Sequence, residues 1–489
     1  MRSILALLLL TRIALAAEPE FPLTADSQPQ PNVPKGTMLK DNHTAKEGSV
    51  FPGTQREYQI YLPAGFDKTQ PASFMVFQDG VIYQAPVVFD NLIAKKDIPP
   101  LVGIFIKPGV VPAANDNALP RFNRSYEYDS ITPTYSQFLI DEFLPAIESK
   151  HGLKLSTDPN HAAISGNSSG GICAFMAAWH RPDRFRRVFT GVGTYVGIHG
   201  ADQLPVLVRK FEPKPLRVFL QSGTGDNNLY CGDWWMANQM MERSLTWAGY
   251  DVNHAWGEGG HNAKHASQIF PDVMRWLWRD WQTDIEVKAN PKGESKWKGY
   301  EVVDAGGRWA DSLIVNAQYL KVSADGVVDR STDRHARSKD SEGRYLGAKP
   351  LPNGHTALSP DQSIVYLNLR GTNTVFSAQV QPSGASKHLQ MFYRLEMTSM
   401  GQCSEGGMCV DTEGRLYVAT SLGIQVCDQA GRVNFIIPTP EKPHDVCFGG
   451  KDMSELYIAC GWKNYKRPTK AKGVVSGQQP PIKPAPPKL

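Results

Sequence analysis

The sequence predicts an α/β domain with an open, mostly parallel sheet, followed by an all-β, propeller-like domain. Three observations predict it. Near-continuous apolar runs alternate with amphipathic helical runs as far as about Trp281. A Gly-x-Ser-x-Gly turn, "GNSSG" at Gly166–Gly170, sits between an apolar run and a helix-forming run. Beyond residue 298 the helical period disappears, and three similar turn-plus-strand segments carry Tyr366, Tyr417 and Tyr457, 51 and then 40 residues apart, which is blade-like spacing.

At 489 residues the chain is too long for a single core, and its formal net charge of +4, evenly spread with no polybasic block, points away from a nucleic-acid partner. Residues 1–17 read as an export signal: Arg2, the apolar run from Ile4 to Leu10, then Ala14-Leu15-Ala16 as a cleavage site. No other segment approaches the roughly 20 apolar residues of a membrane span. Residues 18–50 are polar and Pro-rich and read as a linker or loose arm. From 51 to 283 the expected strands are "REYQIYLP", "SFMVFQDG", "PLVGIFIKPG", "PLRVFLQSG" and "DVNHAWGEGGH". The expected helices are "YSQFLIDEFLPAIESKHG", with Phe138, Leu139, Phe143, Leu144 and Ile147 on one face, and "WWMANQMMERSLTWAG", ending at Gly249. Residues 284–298 form a charged linker, 299–470 the partial propeller, and 471–489 a Pro-rich tail expected to be extended or disordered. The seven cysteines are odd in number, lack finger-like spacing and mostly fall inside apolar strand-like runs, where a small buried hydrophobe is the expected role.

The Gly-x-Ser-x-Gly frame fits only with Ser168 at its centre, flanked at two residues' distance by Gly166 and Gly170; centring on Ser169 would place Asn167 where a side chain fits poorly. The helix behind the serine would aim its N-terminal dipole at the reacting oxygen. The N–H of Ser169 is then one candidate oxyanion donor, and Val81, in the loop after "FMVFQDG", the other. An α/β-hydrolase triad runs Ser, acid, His along the chain. Asp226 follows "LQSGTGD" and His261 lies in the loop "GEGGHN", both at carboxyl ends of expected strands. His254 and His265 compete with His261, and Asp233 and Glu258 with Asp226. A His261/His265 metal pair lacks a third ligand.

Taken together, "FQDG", "PRFNRSYEYD", "GNSSGG", "AFMAAWHRPDRF", "DNNLYCGDWWMANQMM", "YDVNHAWGEGGHNAKHA" and "PDVMRWLWRDW" make residues 51–281 resemble the esterases related to enterochelin (ferric enterobactin) esterase and to feruloyl and acetyl-sugar esterases. The resemblance implies an α/β-hydrolase fold and serine ester hydrolysis without a cofactor, and points to Ser168 and His261. Some members use a Ser–His dyad, which leaves Asp226 open. It also places Arg124 and Glu127 near the pocket, where Arg124 could grip a substrate carboxylate or phenolate, or pair internally with Glu127. Trp234 could stack a substrate ring or belong to the helix core. Residues 299–467, through "LPNGHTALSPDQ" and "GGMCVDTEGRLYVATSLGIQVCD", resemble the gluconolactonase/senescence-marker-protein family. That resemblance implies a central divalent metal with Asn353 as a candidate ligand. This chain has Gly406-Gly407-Met408 where the family has Asp-Gly-Met, with only Glu405 nearby. The expected function is therefore an exported serine carboxylesterase acting on sugar, hydroxycinnamate or siderophore esters. The alternative is a metal-dependent lactonase in the second region.

Overall fold

A sheet of ten strands organises the first half of the computed structural model, which describes residues 20–113, 120–287, 308–339, 344–346, 354–397 and 404–485. From one edge the strands run Asp251–Gly260, Arg217–Gly225, Arg187–Gly191, Ala162–Asn167, Ser73–Gln78 and Leu101–Ile106, all parallel. Gln55–Leu62 then pairs antiparallel with Leu101–Ile106. The apolar runs are strands buried on both faces: every residue of Ser73–Gln78 and Leu101–Ile106 is buried. Helices Thr134–Gln137, Leu144–His151, Ser169–His180 and Trp234–Ala248 contribute to one core, and Ala85–Lys95 and Lys264–Trp278 to the other. The chain leaves Ser73–Gln78 for Leu101–Ile106 on one side, then crosses to Ala162–Asn167 on the other. The crevice at the carboxyl ends of Ser73–Gln78 and Ala162–Asn167 is therefore the topological switch point.

Two expectations are corrected. The Pro-rich arm is not loose: Thr37–Thr44 pairs antiparallel along the whole of Gln55–Leu62, Asn91 Nδ2 donates to the carbonyls of Asp26 and Gln28, and Phe21 stacks on His265 at 4.8 Å. The arm's regular alternation in this strand was masked by its polar residues, because only one of its faces is covered. The tail is extended but docked. Thr412 N–H donates to Lys472 O at 2.8 Å, Val474 N–H to Val410 O at 3.1 Å, and Ile482 N–H to Pro360 O at 2.9 Å. The proposed signal, residues 1–17, and Asn353 lie outside the described residues.

The second region is all β. Two four-stranded antiparallel sheets span Gly354–Arg394 and Ser404–Ile437, each a meander in chain order. A third contains Asp445–Gly449, Glu455–Cys460 and Lys463–Pro468, with Ala310–Asp311 added as its outer strand, so the start of the region is fastened to its end. Tyr319–Val322 and Val328–Ser331 form a two-stranded unit. Tyr366, Tyr417 and Tyr457 all lie on the second strand of their sheets. The inner strands converge, and the short turn Ala336–Ser338 fills the gap between Tyr319–Val322 and Gly354–Leu358. From that turn Arg337 reaches Asp445 and the carbonyl of Val446. The two regions share a core: Ile436 is buried among the residues packed on the parallel sheet, and Phe211 bridges to it. Arg467, 1% exposed, donates to both carboxylate oxygens of Glu212, at 3.1 and 2.5 Å.

Two expected outcomes follow. Arg56 and Glu127 form a fully buried ion pair at 2.8 and 3.0 Å, with Thr54 Oγ1 and the N–H of Gly109 completing it. Glu127→Gln strands a buried guanidinium, so chemical denaturation should show a loss of about 3–5 kcal/mol. His355 is buried, and burial together with the neighbouring Arg337, His335, Arg334 and Arg370 pushes its pKa down from 6.5 to about 3. Below pH 6.5 the unfolded chain takes up a proton that the folded one refuses until about pH 3, so stability is lost across that window and unaffected above it. Urea midpoints should fall by the equivalent of about 2 kcal/mol between pH 7.5 and 5, and His355→Gln should flatten the dependence.

Candidate active site

The turn after Ala162–Asn167 places Ser168 at φ 57° and ψ −122°, a conformation unfavourable for a residue with a side chain. The turn is tight enough that a Cβ on Gly166 would lie 2.3 Å from the carbonyl group of Gly170. This contact is the physical reason for glycine two residues before the serine; two residues after it, a Cβ on Gly170 would lie 3.0 Å from Asp79 Oδ2 and from Gln78 Cβ. Helix Ser169–His180 starts at once, and all its residues but His180 are buried. Its first turn closes on the serine itself, with the N–H groups of Gly171 and Ile172 donating to Ser168 O at 2.9 and 3.3 Å.

Ser168, His261 and Asp226 come together in one hydrogen-bonded line. His261 Nε2 lies 2.7 Å from Ser168 Oγ, and His261 Nδ1 lies 2.6 Å from Asp226 Oδ1. The Asp226 side chain is fully buried, whereas that of His261 is 20% exposed. Asp226 also accepts from Ser222 Oγ at 2.6 Å and from the N–H of Asn227 at 2.8 Å. A carboxylate only accepts, so the proton of the imidazole sits on Nδ1 and Nε2 is free to accept from Ser168. The competitors lie elsewhere. His254 is on strand Asp251–Gly260 and stacks on Trp256, His265 is inside helix Lys264–Trp278, and Asp233 caps helix Trp234–Ala248 through Met236 N–H.

Val81 follows Asp79 and Gly80, both at positive φ (65° and 88°), and is 41% exposed. This loop is tied to the serine turn. Asp79 accepts from Arg124 Nε and Nη2 at 2.7 and 2.9 Å, Arg124 Nη2 reaches the Asn167 carbonyl at 3.4 Å, and Tyr83 Oη donates to Asn167 Oδ1 at 3.0 Å. Arg124 therefore stands beside Ser168 with its fork turned to Asp79, neither free nor paired with Glu127. Exposed Phe122 and Tyr126 flank it in sequence.

Two expected substrate contacts are corrected. Glu127 is held by Arg56 inside the core, a partner 71 residues away that no local pattern reveals. Trp234 is 4% exposed, with its ring edge-on to His261 at 5.6 Å and its Nε1–H donating to Thr194 Oγ1 at 3.2 Å, so it cannot stack a substrate ring. Sequence reasoning missed Asp79 as a partner, although "FQDG" at the end of a buried strand was a usable signal. It also missed Thr194, whose hydroxyl lies 3.3 Å from Ser168 Oγ.

The divalent metal implied for the second region does not fit the residues described there. Glu405, 7% exposed, accepts from Arg370 at 3.2 and 3.0 Å and pairs with Lys442 at 2.6 Å, with His444 Nδ1 at 3.7 Å. Burial would raise its pKa, but Lys442 and Arg370 hold it below the ordinary carboxylate value. Asp445 is taken by Arg337 and by the N–H of Leu320. Among the described residues no group of three or more His, Cys, Asp or Glu is arranged to hold a metal ion.

Comparison with known proteins divides the chain in the same way. Residues 49–265 match the family model "Putative esterase", and residues 344–461 match the SMP-30/Gluconolactonase/LRE-like region. The iron(III) enterobactin esterase of Dickeya dadantii is 30% identical over 152 residues, which is 28% of this chain and 33% of that protein. Regucalcin of Danio rerio is 33% identical over 206 residues, 40% of this chain and 65% of that protein. The chain thus spans about a third of the length of the first and under two thirds of the second. Among solved structures, a ferulic acid esterase matches with TM-score 0.40 and 18% identity over 50% of this chain and 99% of that one. The ferric enterobactin esterase of Salmonella typhimurium matches with TM-score 0.42 and 18% identity over 54% of this chain and 63% of that one. One chain therefore joins an esterase-family region to an SMP-30/gluconolactonase-like region.

Proposed function

We propose that this chain is an exported serine carboxylic-ester hydrolase that works through an acyl-enzyme. The observation that carries the reading is the line Ser168–His261–Asp226, with both hydrogen bonds at 2.6–2.7 Å, at the switch point of a parallel sheet. Its substrates are esters of sugars, hydroxycinnamates or siderophores, the classes suggested by the esterase resemblance and by the names of the matched proteins.

In this reading Ser168 Oγ attacks the ester carbonyl while its proton passes to His261 Nε2. The negative charge that develops on the carbonyl oxygen is met by the N–H groups of Ser169 and Val81, each donor contributing about 3–4 kcal/mol to the transition state. His261 then protonates the departing alkoxide, leaving the acyl group on Ser168. Water attacks this ester, giving its proton to His261, and the C–Oγ bond breaks as Ser168 takes that proton back. Asp226 holds the Nδ1–H tautomer and stabilises the imidazolium in both halves. Arg124, neutralised by Asp79, fixes the loop that carries Val81 rather than offering an unpaired cation to the substrate. The second region acts as a scaffold, covering helix Leu204–Lys210 from outside the sheet. Lactone opening at a bound metal there is the competing reading.

The purified full chain should hydrolyse a short activated ester in the presence of a chelator. Ser168→Ala should lower kcat/KM by at least about 10⁴-fold and Asp226→Asn by roughly 10³–10⁴-fold. Activity that survives Ser168→Ala and disappears with chelator would overturn the proposal and move the chemistry to the second region. Export should show as an intact mass lacking the first 17 residues when the full-length chain is recovered outside the cytoplasm of an expressing cell.

A further inference from the structure

We infer that Thr194 is a catalytic residue of this site, donating its hydroxyl proton to Ser168 Oγ when that oxygen becomes charged, with Trp234 as the positioning residue that aims it. The inference rests on Ser168 being the nucleophile. Thr194 is 1% exposed, and its Oγ1 lies 3.3 Å from Ser168 Oγ. The roles in this pair follow from the groups around it. Trp234 Nε1 can only donate, and it donates to Thr194 Oγ1 at 3.2 Å. Ser168 commits its own proton to His261 Nε2, whose ring proton is held on Nδ1 by Asp226. Ser168 Oγ is therefore left as the acceptor and Thr194 as the donor. The protons run one way, from Trp234 to Thr194 to Ser168 to His261.

At 3.3 Å the contact is long for two hydroxyl groups and weak in the resting site. It strengthens when Ser168 loses its proton, because a hydroxyl donating to an oxyanion closes to about 2.5–2.7 Å. The same holds during deacylation, when the C–Oγ bond breaks and its electron pair returns to Ser168 Oγ before His261 protonates it. An interaction stronger in the charged state than in the resting one accelerates the chemical step rather than improving binding.

The backbone is built to hold the threonine there. Ser168 N–H donates to Gly191 O at 2.9 Å, and Thr194 N–H donates back to Ser168 O at 3.2 Å. Between these two bonds lies Val192 at φ 39°, an unfavourable conformation for a β-branched residue. Asn238 Nδ2 ties the Gly193 carbonyl to helix Trp234–Ala248 at 2.9 Å. Strain at Val192 is thus accepted in the one segment that brings a hydroxyl under the serine.

Thr194→Val keeps the shape and removes the donor, while Thr194→Ser keeps the donor. On a short activated ester, Thr194→Val should lower kcat about 10- to 100-fold with KM within about twofold, and Thr194→Ser should return kcat to within about threefold of wild type. Trp234→Phe, which removes the N–H and keeps a ring against His261, should lower kcat by a smaller factor and add nothing in the Thr194→Val background. A Thr194→Val protein that turns over at the wild-type rate, or a Thr194→Ser protein as impaired as Thr194→Val, would reduce Thr194 to a packing residue. Should Thr194→Val not fold, Trp234→Phe alone decides, and an unchanged kcat overturns the inference. Titration with a fluorophosphonate separates the two levels: a wild-type chain that is neither labelled at Ser168 nor active refutes the nucleophile assignment and this inference with it.

Discussion

The backbone of Ser168 is the constraint on which the rest of this end of the molecule depends. Its φ of 57° turns the chain from a buried strand into a buried helix within one residue, and that turn lifts Oγ above the carboxyl end of the sheet. The conformation is unfavourable by itself, so its surroundings must over-determine it. Below it, Gly166 packs against the Gly170 carbonyl and Gly170 against Gln78 and Asp79, leaving no room for a side chain at Gly166 and little at Gly170. On one side, the 191–194 segment clamps both backbone groups of Ser168; on the other, Arg124 and Asp79 fasten the neighbouring loop to Asn167. Behind it, a helix with only its last residue less than fully buried anchors the turn, each large apolar side chain contributing about 1.5–3 kcal/mol.

Ionic pairing follows the same division between fixing and reacting. Arg56 and Glu127 lie wholly inside the protein and support the loop from beneath, while Arg124 and Asp79 are partly open to solvent at the mouth. Among the described residues, only the imidazole of His261 combines a buried carboxylate on one nitrogen with a hydroxyl on the other. In the second region the acids near the convergence of the inner strands are already matched: Glu405 by Arg370 and Lys442, Asp445 by Arg337. Side-chain cations tie that centre together.

Much of the fold was legible because parallel strands covered on both faces announce themselves as unbroken apolar runs, and because one-faced helices repeat every three to four residues. Ser168, Asp226 and His261 were legible for a different reason, since each follows the carboxyl end of such a run. The misread residues are those whose meaning is set by a distant partner. Glu127 looked like a pocket residue because Arg56 is far away in sequence, and Trp234 stayed open between platform and helix core because nothing in "GDWWMAN" tells that its indole points inward. Thr194 had no signal beyond a small-residue loop after a buried strand. The arm and the tail were misjudged because the bonds that dock them are largely made by backbone groups, which composition does not report.

The joint between the regions bears on the order in which the chain can be completed. Helix Leu204–Lys210 and Phe211 belong to the first region, yet part of their cover is Ile436, and the Arg467–Glu212 pair spans the same joint. During synthesis, more than two hundred residues must follow Phe211 before its contact with Ile436 can form. The nascent esterase region therefore emerges with an apolar flank open, and the molecule closes only when the last sheet and the docked tail arrive.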